Sequence, residues 1–351
     1  VGSFEGFMIL YDGIIYSLQR NGGISVLYNE LLSRLSEASC NYSVISYGHS
    51  VEFPGKKNIV RAPRLAERYR SVNYERADIF HSTYYRLPDS SSIGLSKVIT
   101  TVHDYTYERY IGGLKRQVHS WQKNRAINKS DKIICVSEST KNDALEFSGV
   151  SEDRIEVIPN GVSADYFSIP GMVLSDLPQA IFVGARQGYK NFDSVVKAVS
   201  LFKDLVLVCV GGGGFDKKEL AFLDENLPGR YRHAGFLTNA ELNVEYNKAI
   251  CLIYPSLYEG FGIPVLEAMS AGCPVIAVDA SSIPEVAGDA AHLIERGTVE
   301  EIEAGISALM SDDYRQSLIS KGFIQADKFS WDITYKKTMA LYEQVLGKKL
   351  A

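Results

Sequence analysis

The chain has 351 residues, of which 46% are hydrophobic and 23% are charged. A chain of this length is too long for one ordinary hydrophobic core, so we predict two domains of about 170 residues each. The formal net charge of −5 gives no reason to expect nucleic-acid binding, and no apolar run approaches the roughly 18 to 20 residues of a membrane span.

Apolar runs of strand length alternate with helical periodicity along the chain, which is typical of parallel sheets covered by helices. In the first half, strands are predicted at residues 7–11, 42–47, 79–81, 98–102 and 132–136. Between the first two, one apolar face predicts an amphipathic helix, and its residues are Ile24, Leu27, Tyr28, Leu31, Leu32 and Leu35.

The second half restarts the pattern, with strands predicted at residues 180–183, 205–210, 232–234, 250–254 and 275–278. A helix over residues 191–202 connects the first two of these, and its inward face is formed by Phe192, Val195, Val196 and Val199. Two terminal helices are predicted at residues 312–328 and 332–346.

The joint between the two series is predicted at residues 168–177, where Pro170 and Gly171 precede a polar turn. We therefore place the first domain at residues 1–170 and the second at residues 171–331.

The five cysteines are odd in number and show no CxxC spacing. Cys135, Cys209 and Cys251 lie inside strand-like apolar runs, which is typical of reduced core cysteines. We therefore expect a cytoplasmic protein, and no signal peptide precedes the first predicted strand. Neither HExxH nor Asp-x-Asp occurs, so we expect no metal ligands and no essential divalent metal.

Gly22 and Gly23 follow the first strand region and open the amphipathic helix. Paired glycines let the backbone approach a phosphate or a sugar closely, with a helix N-terminus behind them. A plain turn is the alternative.

His103 and Asp104 follow the predicted strand at residues 98–102. Ligands of open α/β sheets bind at the carboxyl ends of the strands, so His103 is a candidate functional residue. A packed or capping histidine is the alternative, and Asp104 either orients the imidazole or caps the next turn.

Arg186 and Lys190 lie in a loop that follows one predicted strand and precedes a helix. Two cations here can face a diphosphate and supply the charge that a metal would otherwise provide. A surface loop with two solvated basic residues is the alternative. Residues 211–214 form a glycine run at the end of the next strand, without GxGxxG spacing.

Glu259 and Glu267 stand eight positions apart across a turn that contains Gly260 and Gly262. Pro264 fits the first position of a helix, which places Glu267 in the first turn and Glu259 in the loop ahead. The run between them offers free N–H groups and the positive end of a helix dipole, a suitable seat for a diphosphate. A capped surface helix with acids near its N-terminus is the alternative.

The run from Ser256 to Pro274 resembles the Glu-x7-Glu signature of the retaining glycosyltransferases of family 4, and neighbouring segments agree from Gly22 to about Trp331. The resemblance implies the GT-B fold, an α/β architecture in which two Rossmann-like, doubly wound parallel-sheet domains face each other across a cleft. The first domain would bind the acceptor and the second the nucleotide sugar. The last helix, residues 332–351, would pack back on the first domain.

The resemblance also implies residue roles. Glu259 would contact the transferred sugar and Glu267 the ribose hydroxyls, while Arg186 and Lys190 match the family's basic pair at the diphosphate. His103 would lie near the donor sugar. Further residues implied at the diphosphate or the nucleotide are Gly22, Gly23, Gly212, Phe261, Gly262 and Ile263.

Residues 11–19 and 80–85 look most like bacterial mannosyltransferases of surface-polysaccharide and O-antigen assembly. We therefore expect a cofactor-independent enzyme that moves mannose from GDP-mannose to a hydroxyl of a growing, lipid-linked glycan. UDP- and dTDP-sugars are the alternative donors. The rival functions are a GT-B phosphorylase, against which the absence of a recognisable cofactor-lysine motif counts, and a non-catalytic sugar-nucleotide binding module.

A basic stretch covers residues 109–132, and its cations around the apolar Val118 and Trp121 include Lys115, Arg116, Lys123, Arg125 and Lys129. An amphipathic basic helix can lie on an anionic membrane, where family members that extend lipid-linked glycans find their acceptors. A solvated helix of the first domain is the alternative.

Overall fold

The structure, a computed structural model, describes residues 7–19, 22–48, 58–92, 94–172 and 177–347. By its internal contacts the chain divides into two units, Val1–Gly161 with Trp331–Ala351, and Val162–Ser330. Each unit has its own parallel sheet. No helix within the described ranges is long and apolar enough to cross a membrane.

The first unit contains a seven-stranded sheet in the order β3-β2-β1-β4-β5-β6-β7. Its strands are β1 (Ile9–Asp12), β2 (Tyr42–Tyr47), β3 (Asn58–Arg61), β4 (Ile79–Ser82), β5 (Lys97–Val102), β6 (Lys132–Cys135) and β7 (Ile155–Val157). Its helices are α1 (Ile15–Leu18), α2 (Gly23–Glu37), α3 (Thr106–Tyr110), α4 (Gly113–Lys129), α5 (Glu138–Ser148) and, at the end of the chain, α13 (Trp331–Leu346).

The second unit contains a six-stranded sheet in the order β10-β9-β8-β11-β12-β13. Its strands are β8 (Gln179–Val183), β9 (Val206–Val210), β10 (Tyr231–His233), β11 (Ala249–Tyr254), β12 (Val275–Val278) and β13 (His292–Ile294). Its helices are α6 (Phe192–Ser200), α7 (Lys217–Asn226), α8 (Asn239–Lys248), α9 (Ile263–Ser270), α10 (Ile283–Ala287), α11 (Val299–Leu309) and α12 (Asp312–Ala326).

Both sheets are doubly wound, because the strand order reverses beside the first strand of each unit, between β1 and β4 and between β8 and β11. The predicted α/β class and Rossmann-like units are confirmed. Three strands were missed by the sequence pattern, β3, β7 and β13, and all three are edge strands. They are short and partly exposed, so their apolar runs are too brief to stand out.

The inward face predicted for α6 is confirmed, since it packs into the core of the second unit. Phe192 is 3% exposed, and Val195, Val196 and Val199 are fully buried. Burial of such side chains is worth about 1.5–3 kcal/mol each relative to exposure, which is why this face fixes how the helix lies on the sheet.

The division between the units falls after Gly161, ahead of the boundary predicted at residue 170. The intervening segment is hydrogen-bonded to α8 of the second unit. The Ile169 N–H donates to Asn247 Oδ1 (2.7 Å), and Asn247 Nδ2 donates to the carbonyl of Phe167 (3.0 Å). Residues 173–176 of the predicted joint lie outside the described residues.

Helix α13 packs on α2 within the first unit. The Tyr342 hydroxyl, fully buried, contacts the Tyr11 hydroxyl (2.8 Å) and His81 Nδ1. Thr334 Oγ1 donates to the carbonyl of Pro159 (2.8 Å). Residues 348–351, which were predicted to belong to the last helix, lie outside the described residues.

Candidate active site

In the second unit, the loops with the predicted motifs follow β8, β9 and β11, at the carboxyl edge of the sheet. Since β8 and β11 are neighbours at the reversal of strand order, the loops after them meet at the position where open α/β sheets bind ligands. The Leu257 N–H donates to the carbonyl of Tyr189 (2.8 Å) and ties these two loops together.

Lys190 and Glu259 form an ion pair across these loops, and each side chain is only 13% exposed. The Glu259 backbone is held by the loop after β12. Its N–H donates to Ser281 Oγ (2.8 Å), and Ser282 Oγ donates to its carbonyl (2.9 Å). The structure therefore places a cation and a carboxylate, both largely shielded from water, at the carboxyl edge.

Glu267 lies in the second turn of α9 rather than the first turn expected from the sequence. The helix begins at Ile263 after the N-cap Gly262, so Pro264 is its second residue. Gly262 has a φ of +101°, and a Cβ there would lie 2.7 Å from Ile283 Cδ1, so both the backbone and the packing require glycine.

The carboxyl group of Glu267 is held within the second unit by aromatic hydroxyls. Burial raises its pKa to about 7, and hydrogen bonds from Tyr246 and Tyr166 oppose this rise. The Tyr246 hydroxyl donates to Glu267 Oε2 (3.0 Å). At neutral pH this group therefore exchanges between the protonated and the charged form.

The N-terminus of α9 offers backbone donors. Across the described residues, the N–H groups of Phe261, Gly262 and Ile263 have no hydrogen-bond partner. Such groups, together with the helix dipole, favour an anion. The diphosphate seat expected here from the sequence stays a prediction.

Arg186 is 9% exposed, and its guanidinium holds the glycine loop after β9. It donates to the carbonyl oxygens of Gly211 (3.1 Å), Gly213 (2.9 Å) and Gly214 (3.1 Å). It also pairs with Glu219 of α7, with Nε 2.8 Å from Oε1. The two cations of the predicted basic pair therefore have different partners, and Arg186 acts on the shape of the loop.

Gly212 lies in the same loop against the β8 turn. Its φ is +70°, and a Cβ would lie 2.5 Å from the Gly184 carbonyl oxygen and 2.9 Å from Arg186 Nη1. The close approach of two loops thus depends on glycine at this position.

In the first unit, His103 follows β5 and is 8% exposed. Its Nε2 is buried and has no hydrogen-bond partner among the described side chains and backbone. Burial lowers its pKa to about 4, so the ring is neutral near pH 7. The Tyr28 ring packs edge-on against it at 6.2 Å. Asp104 Oδ1 accepts from the Thr106 N–H (2.9 Å), which is the capping role for this residue.

Gly22 is the N-cap of α2, and Gly23 is the first helical residue. Gly22 has an extended backbone with φ 172°, so its need for glycine is not conformational. A Cβ there would lie 1.7 Å from Gln19 Nε2, the end of a flexible side chain that can move, so packing does not require glycine either.

Several residues around the site had no place in the sequence-based prediction, notably Glu219, Tyr246 and Ser281. Glu219 carries a detectable signal, because Asp216 and Glu219 form a capping box at the start of α7. That pattern predicts a helix start but not the pairing with Arg186. In the described part of the chain, no cluster of three or more His, Cys, Asp or Glu residues could hold a metal ion.

The basic stretch at residues 109–132 is not one amphipathic helix, because α3 ends at Tyr110 and α4 begins at Gly113. Two of its cations form ion pairs within the first unit. Lys123 is fully buried and contacts Glu108 Oε2 (2.8 Å), and Arg109 pairs with Asp143 of α5. The predicted basic surface is therefore smaller than the sequence indicates.

Comparison with known families covers most of the chain. Residues 21–166 match the family described as Glycosyltransferase Family 4, and residues 173–324 match Glycosyl transferases group 1. The chain belongs to the glycosyltransferases of family 4. The family predicted from the Glu-x7-Glu motif and the prediction of an enzyme are both confirmed.

Among characterised members of this family, the O-antigen chain mannosyltransferase B of Escherichia coli is 29% identical over 316 residues, covering 81% of each chain. The serotype-specific mannosyltransferase WbdA of Escherichia coli is 24% identical over 92% of this glycosyltransferase, which spans only 43% of the WbdA chain.

Solved glycosyltransferases show the same fold. Sucrose-phosphate synthase of Thermosynechococcus elongatus superposes with a TM-score of 0.79 at 17% identity, over 97% of this chain and 100% of that one. Anabaena HepE, solved in complex with UDP-glucose, gives a TM-score of 0.75 at 13% identity, over 97% and 100% of the two chains. The predicted GT-B assignment agrees with these neighbours.

Proposed function

We propose that this glycosyltransferase moves mannose from GDP-mannose, with retention of anomeric configuration, to a hydroxyl of a growing, lipid-linked surface glycan. The observation that carries the transfer chemistry is the ion pair of Lys190 and Glu259 beside the N–H groups at the start of α9, which have no hydrogen-bond partner among the described residues. The sugar is inferred from the Escherichia coli relatives, which are named as mannosyltransferases of O-antigen.

In the proposed reaction, the bond between C1 of the sugar and the β-phosphate oxygen breaks, and a new bond forms between C1 and the acceptor oxygen. The proton of the acceptor hydroxyl goes to the leaving phosphate, so a separate general base is not needed. Negative charge that develops on the phosphate is stabilised by Lys190 and by the N–H groups of Phe261, Gly262 and Ile263. Fixed groups of this kind supply the largest catalytic contribution expected here.

The remaining residues have supporting roles in this proposal. Glu259 contacts the transferred sugar, and Glu267 accepts hydrogen bonds from the ribose hydroxyls. Arg186 acts through the glycine loop that it holds, with Gly212 beside the nucleotide. In the first unit, His103 has a neutral ring whose buried Nε2 has no partner among the described residues, and we assign it, with the loop of Gly22 and Gly23, to substrate binding.

No divalent metal or cofactor takes part in the proposed reaction, since Lys190 and the helix N-terminus supply the positive charge. We also propose that the protein is cytoplasmic and binds the anionic inner face of the membrane through α4. On this helix Leu114 and Trp121 are 74% and 57% exposed, next to the exposed Lys115 and Arg116.

A UDP-sugar is the second candidate donor, because the solved neighbour HepE is described in complex with UDP-glucose. A thermal-shift screen of GDP, UDP and dTDP distinguishes the bases, since a ligand at 100 times its Kd adds about 2.7 kcal/mol of stability. We expect GDP to stabilise most and GDP-mannose to be turned over. Turnover of a UDP-sugar instead would show that the donor is a UDP-sugar. Stabilisation by a nucleotide without any transfer would favour a non-catalytic sugar-nucleotide binding module.

A further inference from the structure

A cavity of about 560 Å³ lies in the first unit, at the edge of the sheet opposite His103. It opens at the amino ends of the central strands, where Asp78 precedes β4, Lys97 begins β5 and Asp131 precedes β6. One wall is apolar and consists of Leu87, Pro88 and Val98. Its volume is in the range of small-molecule sites, about 300–1,000 Å³.

Each carboxylate at this cavity accepts a backbone N–H, and one of the two also pairs with a lysine. Asp131 binds Lys97 Nζ (3.1 Å) through Oδ1 and accepts the Val98 N–H (2.8 Å) through Oδ2. Asp78 Oδ2 accepts the Met8 N–H (2.7 Å). Neither carboxylate forms a salt bridge with Arg125 or Lys129.

Two cations that line the cavity from α4 lack such a partner. Arg125 and Lys129 form no salt bridge with any carboxylate of the described residues. They stand one turn apart on the helix, so both can reach one ligand group. Their position at the C-terminal end of α4 suits the helix dipole, which alone would explain cations but not the apolar wall beside them.

We propose that this cavity binds the phosphate group of an amphiphile, with the phosphate on Arg125 and Lys129 and the apolar part against Leu87 and Val98. Arginine and lysine are the side chains that bind phosphate most effectively, through paired N–H donors and a point charge. A free amphiphile and a bilayer lipid carry the same chemistry. The proposal concerns a site on the opposite sheet edge and does not rest on the proposed transfer reaction.

Trp121 supplies a direct signal for this site. The guanidinium of Arg125 lies 5.7 Å from the centre of its ring, and the side chain is 57% exposed. The chain has two tryptophans, and the other, Trp331, is 2% exposed. A phosphate bound by Arg125 should change the emission of Trp121 and leave that of Trp331 unchanged.

The test is a titration of the full chain with water-soluble dihexanoyl phosphatidic acid, followed by calorimetry and tryptophan emission. We expect saturable binding, no binding of the matched phosphatidylcholine, and weaker binding of inorganic phosphate. Arg125→Ala/Lys129→Ala should weaken binding at least ~10-fold, because charge-assisted hydrogen bonds are lost. The matched control is Lys336→Ala/Lys337→Ala, which removes the same charge from exposed positions of α13 in the same unit and should bind normally.

Flotation with phosphatidylcholine vesicles, with and without phosphatidic acid, separates the two sources. Loss of flotation only in Arg125→Ala/Lys129→Ala places the site on a bilayer lipid, and binding of the soluble lipid without flotation indicates a free amphiphile. Equal losses in both double variants, or inorganic phosphate bound as tightly as phosphatidic acid, would overturn the proposal. Transfer with a soluble acceptor should be unchanged in both variants, so this result does not depend on the proposed function.

Discussion

Lys190 and Glu259 form an ion pair although they are 69 positions apart in the chain. Each lies in a loop at the carboxyl edge of a central strand, and the hydrogen bond from Leu257 to Tyr189 holds the two loops together. Because both side chains are largely shielded from water, removing one leaves the other with an uncompensated charge. This pair links the shape of the site to its electrostatics.

Glu259→Gln should lower turnover while leaving the affinity for free nucleoside diphosphate almost unchanged. In the proposed reaction Glu259 acts at the transferred sugar, where interactions count mainly in the transition state.

Lys190→Ala should lower turnover by ~100-fold, the scale expected for loss of one donor to a developing anion. Initial rates and calorimetry with the nucleoside diphosphate provide the measurements.

Lys197→Ala, an exposed lysine on α6 of the same unit, is the matched control and should retain normal turnover. The double variant Lys190→Ala/Glu259→Gln should lose less than the two single effects added, because the pair is already broken. Near-normal rates in both single variants would contradict a catalytic role for Lys190 and Glu259 and leave the pair a structural one.

Binding of the nucleoside diphosphate should strengthen as pH rises through about 7, the pKa to which burial raises Glu267. The charged carboxylate accepts hydrogen bonds from the ribose hydroxyls on both oxygens, whereas the protonated group accepts fewer. Glu267→Gln should weaken binding and remove this pH dependence. Tyr246→Phe should shift the midpoint upward, since the Tyr246 hydroxyl donates to the carboxylate and lowers its pKa.

The same group should affect stability with the opposite sign. The pKa of Glu267 is 4.5 in the unfolded chain and about 7 in the folded protein. Between these two pH values the folded state therefore holds the proton more tightly than the unfolded chain. Its contribution to the free energy of unfolding is therefore present below 4.5 and is lost as pH rises to about 7. Denaturant unfolding of the wild type and Glu267→Gln across this range measures the difference, and parallel curves would contradict the assignment.

Gly212→Ala should raise the KM for the donor and lower the unfolding temperature more than Gly213→Ala. Both glycines have positive φ, +70° and +75°, so both substitutions carry a similar backbone penalty of about 1–2 kcal/mol. Only at Gly212 would the new Cβ meet the Gly184 carbonyl, at 2.5 Å, whereas nothing lies within 4 Å at Gly213. Equal effects in the two variants would exclude the close approach as the cause.

Arg186→Ala should reduce turnover by ~100-fold and also raise the donor KM, because the glycine loop loses the group that holds its carbonyl oxygens. Glu219→Gln keeps a hydrogen-bond acceptor for Arg186 but removes the charge, so it should show a milder form of the same defect. A turnover loss in Arg186→Ala with an unchanged KM would favour direct contact with the phosphate instead.

Transfer activity should survive EDTA with little loss. The positive charge of the proposed site comes from Lys190 and the N-terminus of α9, and the sequence contains no Asp-x-Asp for a chelated nucleotide. The measurement is the initial rate after dialysis against EDTA, with and without added Mg²⁺ or Mn²⁺. Strict dependence on either ion would show that phosphate charge is neutralised in another way.

The sequence by itself determined the two parallel sheets, the glycosyltransferase family and the loops that carry the candidate residues. These features depend on local signals. Apolar periodicity marks the central strands, and glycine with proline marks the turn before α9 and the helix start, to within one residue at Pro264. The edge strands β3, β7 and β13 escaped because a short, partly exposed strand carries little apolar signal.

Only the tertiary structure decided which charges meet. Lys190 and Arg186 read as one basic pair in the sequence, yet Lys190 pairs with Glu259 and Arg186 with Glu219. Lys123 reads as part of a basic surface and is buried against Glu108. Periodicity reports which face of an element is apolar, but the partner of a charged side chain depends on where distant loops are brought by the sheet, and no local pattern encodes that.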